Sequence, residues 1–135
     1  DTIVVIDDKI LGKPVDEADA RSMLTQLAGR DHLVYTGVAL ADGTIAPPTP
    51  PRFAIRIERT RVRIRSMDAA EIAAYVAGGE PFDKAGGYGI QGLGGAFVRA
   101  IRGSYSNVVG LPLCETWQLL CAQGIATKLT PARSA

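Results

Sequence analysis

Over residues 53–65 apolar and polar residues alternate, and a period of two sustained for that length commits the chain to a β-sheet with one face buried. The alternation changes phase within the run. Phe53, Ile55 and Ile57 occupy odd positions, whereas Val62 and Ile64 occupy even ones. A bulge or bend near residues 58–60 would turn both sets to the same side. Arg61, Arg63 and Arg65 then share one face. No aromatic residues interleave with them, so a solvated, charge-protected strand edge is a better reading than a nucleic-acid groove.

Shorter signals place the remaining elements. Residues 3–6 are a β-branched run, Asp7 and Asp8 can turn it, and Ile10 with Leu11 can pair back as a hairpin. Asp16 is a predicted N-cap for a helix ending near Leu27, with Ala20, Met23, Leu24 and Leu27 at helical spacing and Gly29 beyond its end. A strand is expected over 32–40. Four prolines make residues 41–52 a surface loop. A second helix is expected over 67–77, a buried strand over 96–101 and a turn at "GSYSN". A final helix over 113–123 should turn Leu113, Trp117, Leu120 and Cys121 inward. A frayed tail covers 127–135. The whole reads as a single α/β domain, residues 1–135, with a partly antiparallel sheet and no internal repeat.

Composition excludes several classes. With 47% hydrophobic and 21% charged residues the chain is ordinary globular material, not a disordered one. A net charge of +1 announces neither a nucleic-acid polymer nor a membrane surface as partner. No apolar run reaches the roughly 18 residues of a membrane span, and no signal-peptide pattern opens the chain. A soluble, cytoplasmic protein is expected. Cys114 and Cys121 lie seven apart on one predicted helix, which separates their Cα atoms by roughly 10 Å, beyond disulfide reach. They read as buried packing residues, and with His32 they make poor zinc geometry. His32 reads as structural. The chain opens on Asp1 directly into a strand, and the expectation is that an N-terminal piece of a larger domain is absent, leaving a sheet edge that a second copy could cover.

The chemistry concentrates in "GGEPFDKAGGYGIQG", residues 78–92, where six glycines surround Glu80, Asp83 and Lys84. Glycines allow close backbone approach to a ligand, while two acids and a lysine are what a phosphate with a divalent cation requires. Upstream, Asp1 and Thr2 open a strand and Lys13 follows Gly12 in "LGKP". A carboxylate beside cations stays anionic and can bind metal or orient water, and lysine pairs with phosphate as a point charge. Gln91 offers both a donor and an acceptor to the edge of a base. Each residue also has a plainer reading. Asp1 can be a solvated terminus, Thr2 a β-former, Lys13 a loop charge, Asp83 with Lys84 a surface ion pair, and Gln91 a partner for loop backbone.

The order of these pieces adds a further argument. "DTIVVIDDKILGKPVDEADARSMLTQLAGRDHLVYTGV", followed by "EIAAYVAGGEPFDKAGGYGIQGLGGAFVRAIRGSYSNVVGLPLCETWQLL", resembles the Maf family of nucleoside triphosphate pyrophosphatases, once called septum formation inhibitors. The resemblance implies an inosine-triphosphatase-like fold, a bent mixed sheet with helices around a deep cleft. It implies hydrolysis of a nucleoside triphosphate to monophosphate and pyrophosphate with a divalent metal, Mg²⁺ or else Mn²⁺ or Co²⁺. Asp1 matches the family's catalytic acid and a metal ligand, Thr2 and Gln91 match positions tied to base choice, and Lys13 matches the lysine of "GKP". Glu80 and Asp83, as metal ligands, and Lys84, as a phosphate partner, match "GEPxDKAG". "DT" with "YGIQG" resembles the branch acting on dTTP and UTP. The chain is expected to match the C-terminal two thirds of a family member, without its Ser- and Arg-rich phosphate loop. A non-catalytic nucleotide-binding regulator of septum formation is the alternative from another class.

Overall fold

A computed structural model describes residues 1–43 and 52–131. Among the described residues five strands form one sheet in the order β2-β1-β3-β4-β5: β1 (Thr2–Ile6), β2 (Lys9–Leu11), β3 (Asp31–Asp42), β4 (Arg52–Ile64) and β5 (Val98–Arg102). The same residues hold four α-helices: α1 (Glu17–Leu27), α2 (Ala69–Ala77), α3 (Tyr105–Val109) and α4 (Leu113–Ala122). The α/β class is therefore as expected. Where the sequence reading allowed a mixed sheet, every pairing among the described strands is antiparallel. Among the described residues no helix is long and apolar enough to cross a membrane.

Local chemistry accounts for the first half of the chain. Asp7 and Asp8 both take positive φ, 50° and 59°, which is the twist a two-residue hairpin between β1 and β2 requires. Short polar side chains tolerate that conformation better than branched ones do. Asp16 caps α1 by accepting the Asp19 N–H at 2.7 Å. Asp68 and Glu71 form a reciprocal capping box on α2. On the even-numbered face of β1, β3 and β4, Val4, Ile6, Val34, Val62 and Ile64 meet Leu24, Leu27, Ile72 and Val76 of these helices in the core.

Several expectations are corrected. No bulge interrupts β4 at 58–60, because its register with β3 runs unbroken from Asp31↔Arg63 to Asp42↔Arg52. The only irregularity of β4 falls on its other side, against β5, at Arg63/Ile64. The odd apolar set is not buried at all: Phe53, Ile55 and Ile57 are 62–69% exposed, on the face opposite Thr60 and Val62. Nor is the arginine row a strand edge. At Arg61 and Arg63 β4 is flanked by both β3 and β5, and both side chains reach Asp31 instead. Arg65, beyond the strand, turns to Glu71.

Strand β3 and β4 extend into the proline segment at Asp42 and Arg52, so the loop expected over 41–52 is shorter than that, and its centre, 44–51, lies outside the described residues. The strand expected over 96–101 begins at Val98 after a 3₁₀ turn (Leu93–Phe97), and as an edge strand it is half-buried. "GSYSN" is not a simple turn: Ser104 caps the short helix α3 by accepting the Asn107 N–H. Helix α4 contributes no buried residue. Leu113 is 62% exposed, and Cys114 and Cys121 are exposed rather than packed. The physical reason is position, since α4 lies against the far reach of β3 and β4, beyond the helices that close the core. Of the tail, Thr127 and Thr130 hydrogen-bond each other, and 132–135 lie outside the described residues.

Candidate functional site

Three separated pieces of sequence converge on one cavity of about 1060 Å³. Asp1 and Thr2 come from the start of β1, Lys13 from the turn after β2, and Glu80, Asp83, Lys84 and Gln91 from the glycine-rich segment. Backbone hydrogen bonds hold the pieces in place. The Asp1 nitrogen donates to the Gly37 carbonyl and the Gly37 N–H returns to the Asp1 carbonyl, both at 3.0 Å, so pairing with β3 continues to the first residue. The Gly86 N–H donates to the Gly12 carbonyl at 3.0 Å, which ties the Lys13 turn to the glycine segment.

The glycine segment folds as two successive 3₁₀ turns, Glu80–Asp83 and Ala85–Gly87, followed by a third, Leu93–Phe97. Glu80 fastens the first to the third. Its two carboxylate oxygens accept the N–H groups of Leu93 at 2.9 Å and Gly94 at 3.0 Å. A Cβ on residue 92 would collide with that carboxylate, which explains why Gly92 stands there. Gly89 has a related role, because the Lys84 stem lies over it and a Cβ would sit 3.0 Å from Lys84 Cε. Lys84 Nζ donates to Asp83 Oδ2 at 3.1 Å, with the two side chains 45% and 75% exposed. So open a pair is held weakly and can rearrange around a ligand.

The acidic residues therefore differ in what they can offer. Among the described residues no group of three His, Cys, Asp or Glu side chains gathers to hold a cation by itself. Both Glu80 oxygens are engaged by backbone. Asp1 Oδ1 accepts the Thr2 N–H at 2.8 Å, and Asp83 has only its lysine. One carboxylate each from Asp1 and Asp83, facing a cavity with two lysines, fits a cation that completes its shell with phosphate oxygens and water.

Residues that the sequence reading did not single out support the walls. Tyr88, which lines the cavity, hydrogen-bonds His32 Nε2 through its hydroxyl at 2.7 Å, and the rings meet edge to face. Tyr75 accepts the Gly89 N–H at its hydroxyl. Burial pushes both phenols up from their ordinary value, and the Glu80 carboxylate adds to the effect at Tyr75. Asn107 is wholly buried, and its Nδ2 donates to Thr60 Oγ1 at 2.9 Å and to the Val34 and Glu58 carbonyls. The asparagine of "GSYSNVVG" was the one available signal for this hub.

His32 is structural in the sense expected, and it carries a pH dependence. Burial lowers its pKa from 6.5 to about 4, so it is neutral at pH 7. The unfolded chain binds the proton more readily across that interval. Stability is accordingly full above pH 6.5 and falls as pH drops toward 4, by about 3 kcal/mol in all. Urea unfolding midpoints of the parent and of His32→Leu, measured between pH 7 and 4, should diverge in slope. Parallel curves would show that His32 does not contribute this acid sensitivity.

Residues 1–123 match the family described as Maf-like protein. The chain belongs to the Maf family. Proteins named dTTP/UTP pyrophosphatase are similar to it at 57% identity in Shewanella oneidensis, 50% in Pasteurella multocida and 51% in Bordetella parapertussis. Each comparison covers 93% of this Maf chain and 61%, 59% and 58% of the respective relative, so the chain spans about three fifths of their length. The expected two-thirds match is corrected accordingly: the likeness takes in nearly all of this chain, and the uncovered length is on the relatives' side.

Proposed function

We propose that this cleft belongs to a nucleoside triphosphate pyrophosphatase acting on dTTP and UTP. The observation that carries the reading is the convergence of "DT", "GKP" and "GEPFDKAGGYGIQG" on one cavity, with three carboxylates, two lysines and a glutamine amide around it. The relatives' names supply the substrate pair. In the proposed reaction a water oxygen bonds to the α-phosphorus and the bond from that phosphorus to the bridging oxygen breaks, giving the monophosphate and pyrophosphate. Asp1 accepts the water proton as general base. Lys13 and Lys84 offset charge on the phosphates, and Lys84 exchanges its Asp83 contact for substrate. Asp1 and Asp83 would hold a divalent cation, Mg²⁺ or else Mn²⁺ or Co²⁺, which supplies electrostatic stabilisation of the phosphate oxygens when bound. Glu80, matched to a ligand position, serves by holding the turn that presents Gln91. A cytoplasmic setting, where such nucleotides are made and used, fits this role, and a homodimer is compatible with it.

The test is pyrophosphate release from UTP and dTTP. Orthophosphate as the first product would overturn the reading, and tight nucleotide binding without turnover would favour the non-catalytic regulator instead. Gln91 is proposed to read the base: its amide donates to a base carbonyl, which a carboxylate cannot do. Gln91→Glu should therefore lower kcat/KM for UTP relative to GTP by tenfold or more. A ratio changed by less than about threefold, roughly 0.7 kcal/mol, would remove Gln91 from base choice.

A further inference from the structure

Thr2 reaches the cavity from a chain of hydroxyl and carbonyl groups that runs back into the core. Its Oγ1 lies 2.8 Å from Thr36 Oγ1 and 3.4 Å from the Gly110 carbonyl. Thr36, 1% exposed, lies in turn 3.3 Å from the Asn107 carbonyl. Two hydroxyl protons thus face two carbonyl acceptors and one short oxygen–oxygen contact.

Two arrangements place a hydrogen in the short contact and keep a hydroxyl donor on one of the carbonyls. In the first, Thr36 donates to the Asn107 carbonyl and Thr2 donates to Thr36. In the second, Thr36 donates to Thr2 and Thr2 donates to the Gly110 carbonyl. Both consume the Thr2 proton inside the protein. Aiming that proton at a ligand would leave both carbonyls without a hydroxyl donor, or the 2.8 Å contact without a hydrogen, and the Asn107 carbonyl lies buried, where an unpaired acceptor is costly. What Thr2 presents to the cavity is therefore a lone pair.

We propose that Thr36 is a positioning residue that fixes the Thr2 hydroxyl as a hydrogen-bond acceptor, so that the cavity selects a base with an N–H at that point. The inference rests on the pyrimidine reading above and deepens it. The Watson–Crick edge of uracil and thymine runs acceptor, donor, acceptor: two carbonyls flank the imide N3–H. Thr2 takes the N3–H while Gln91 donates to a flanking carbonyl. Cytosine carries a bare lone pair at N3, which meets the Thr2 lone pair and is rejected. Valine has nearly the shape of threonine and suits a buried strand position equally well, so it is the hydroxyl at Thr36 that does this and not the volume.

The experiment compares calorimetric binding of non-hydrolysable α,β-methylene analogues of UTP and CTP, together with kcat and KM for UTP, in the parent, Thr36→Val and Thr36→Ser. In Thr36→Val the Thr2 proton is free to turn outward, and the preference for the uracil analogue should fall tenfold or more. The loss should appear in KM for UTP and leave kcat within about threefold. Thr36→Ser restores the hydroxyl and should restore the preference. Thr2→Val, at a half-buried position, removes the acceptor directly and should lose the preference even if Thr36→Val proves unstable. A preference unchanged in Thr36→Val or Thr2→Val, a Thr36→Ser as impaired as Thr36→Val, or a parent that does not favour the uracil analogue overturns the inference. A parent that prefers the uracil analogue but releases no pyrophosphate overturns the hydrolytic reading and leaves this one standing.

Discussion

Asp1→Asn is expected to lower pyrophosphate release from UTP by about 10²- to 10⁴-fold, the range typical of losing a positioned general base. The fold should not suffer. Asp1 Oδ1 accepts the Thr2 N–H at 2.8 Å, and an asparagine carbonyl can accept the same hydrogen bond in the same shape. The pairing of Asp1 with Gly37 uses main-chain groups alone and is indifferent to the side chain. What disappears is the negative charge, and with it the proton acceptor and cation ligand proposed for Asp1. Turnover and urea midpoint measured on the same preparation separate the two effects. Turnover within tenfold of the parent would take Asp1 out of the proton transfer, and a large drop in the midpoint would mean that the charge serves the fold.

What could be read from the sequence was what depends on near neighbours. The Asp7–Asp8 hairpin and the Asp16 cap are each settled within a few residues, and the structure has both. The residues proposed for the site stood out for a different reason: Asp1, Thr2, Lys13 and the charges of the glycine segment are chemically conspicuous where they stand, and all of them line one cavity. Burial on the distal elements was not legible. An apolar period of two along Phe53, Ile55 and Ile57 says that these residues share a face, but which face is covered depends on where the helices lie. The same limit applies to α4, whose apolar stripe at Leu113 and Trp117 is helical in spacing yet exposed. Glu80 carries a further lesson. Its residue type suggested metal, whereas its oxygens meet N–H groups thirteen and fourteen positions away, a contact created only by the folding of the segment on itself.

Asn107 shows the same limit at longer range and leads to a second large effect, on stability. It stands 73 residues from Val34, 49 from Glu58 and 47 from Thr60, and its Nδ2 donates to acceptors on all three. Those contacts pin α3 across β3 and β4, while the Asn107 carbonyl accepts the Thr36 hydroxyl and so reaches the cavity wall. Asn107→Leu keeps the volume and removes the amide. Three acceptors on β3 and β4 would then lose the amide donor, although Thr60 Oγ1 keeps the Ser104 N–H and the two carbonyls stay in the β3–β4 ladder, so the cost is that of lost buried hydrogen bonds, about 0.5–1.5 kcal/mol each. The loss is partly offset by the more favourable burial of leucine, and by removal of the Asn107 Oδ1, which is itself buried without a protein partner. A net destabilisation of about 2 kcal/mol is expected, read as a lower urea midpoint at unchanged slope. Asn107→Asp should fare no better, because an ionised carboxylate can accept but not donate and would face carbonyl oxygens at 3.1 and 3.4 Å. A loss below about 1 kcal/mol for the leucine variant would mean that the strands hold α3 without the amide, and the fixed sense of the Thr36 hydroxyl would then have to come from backbone geometry alone.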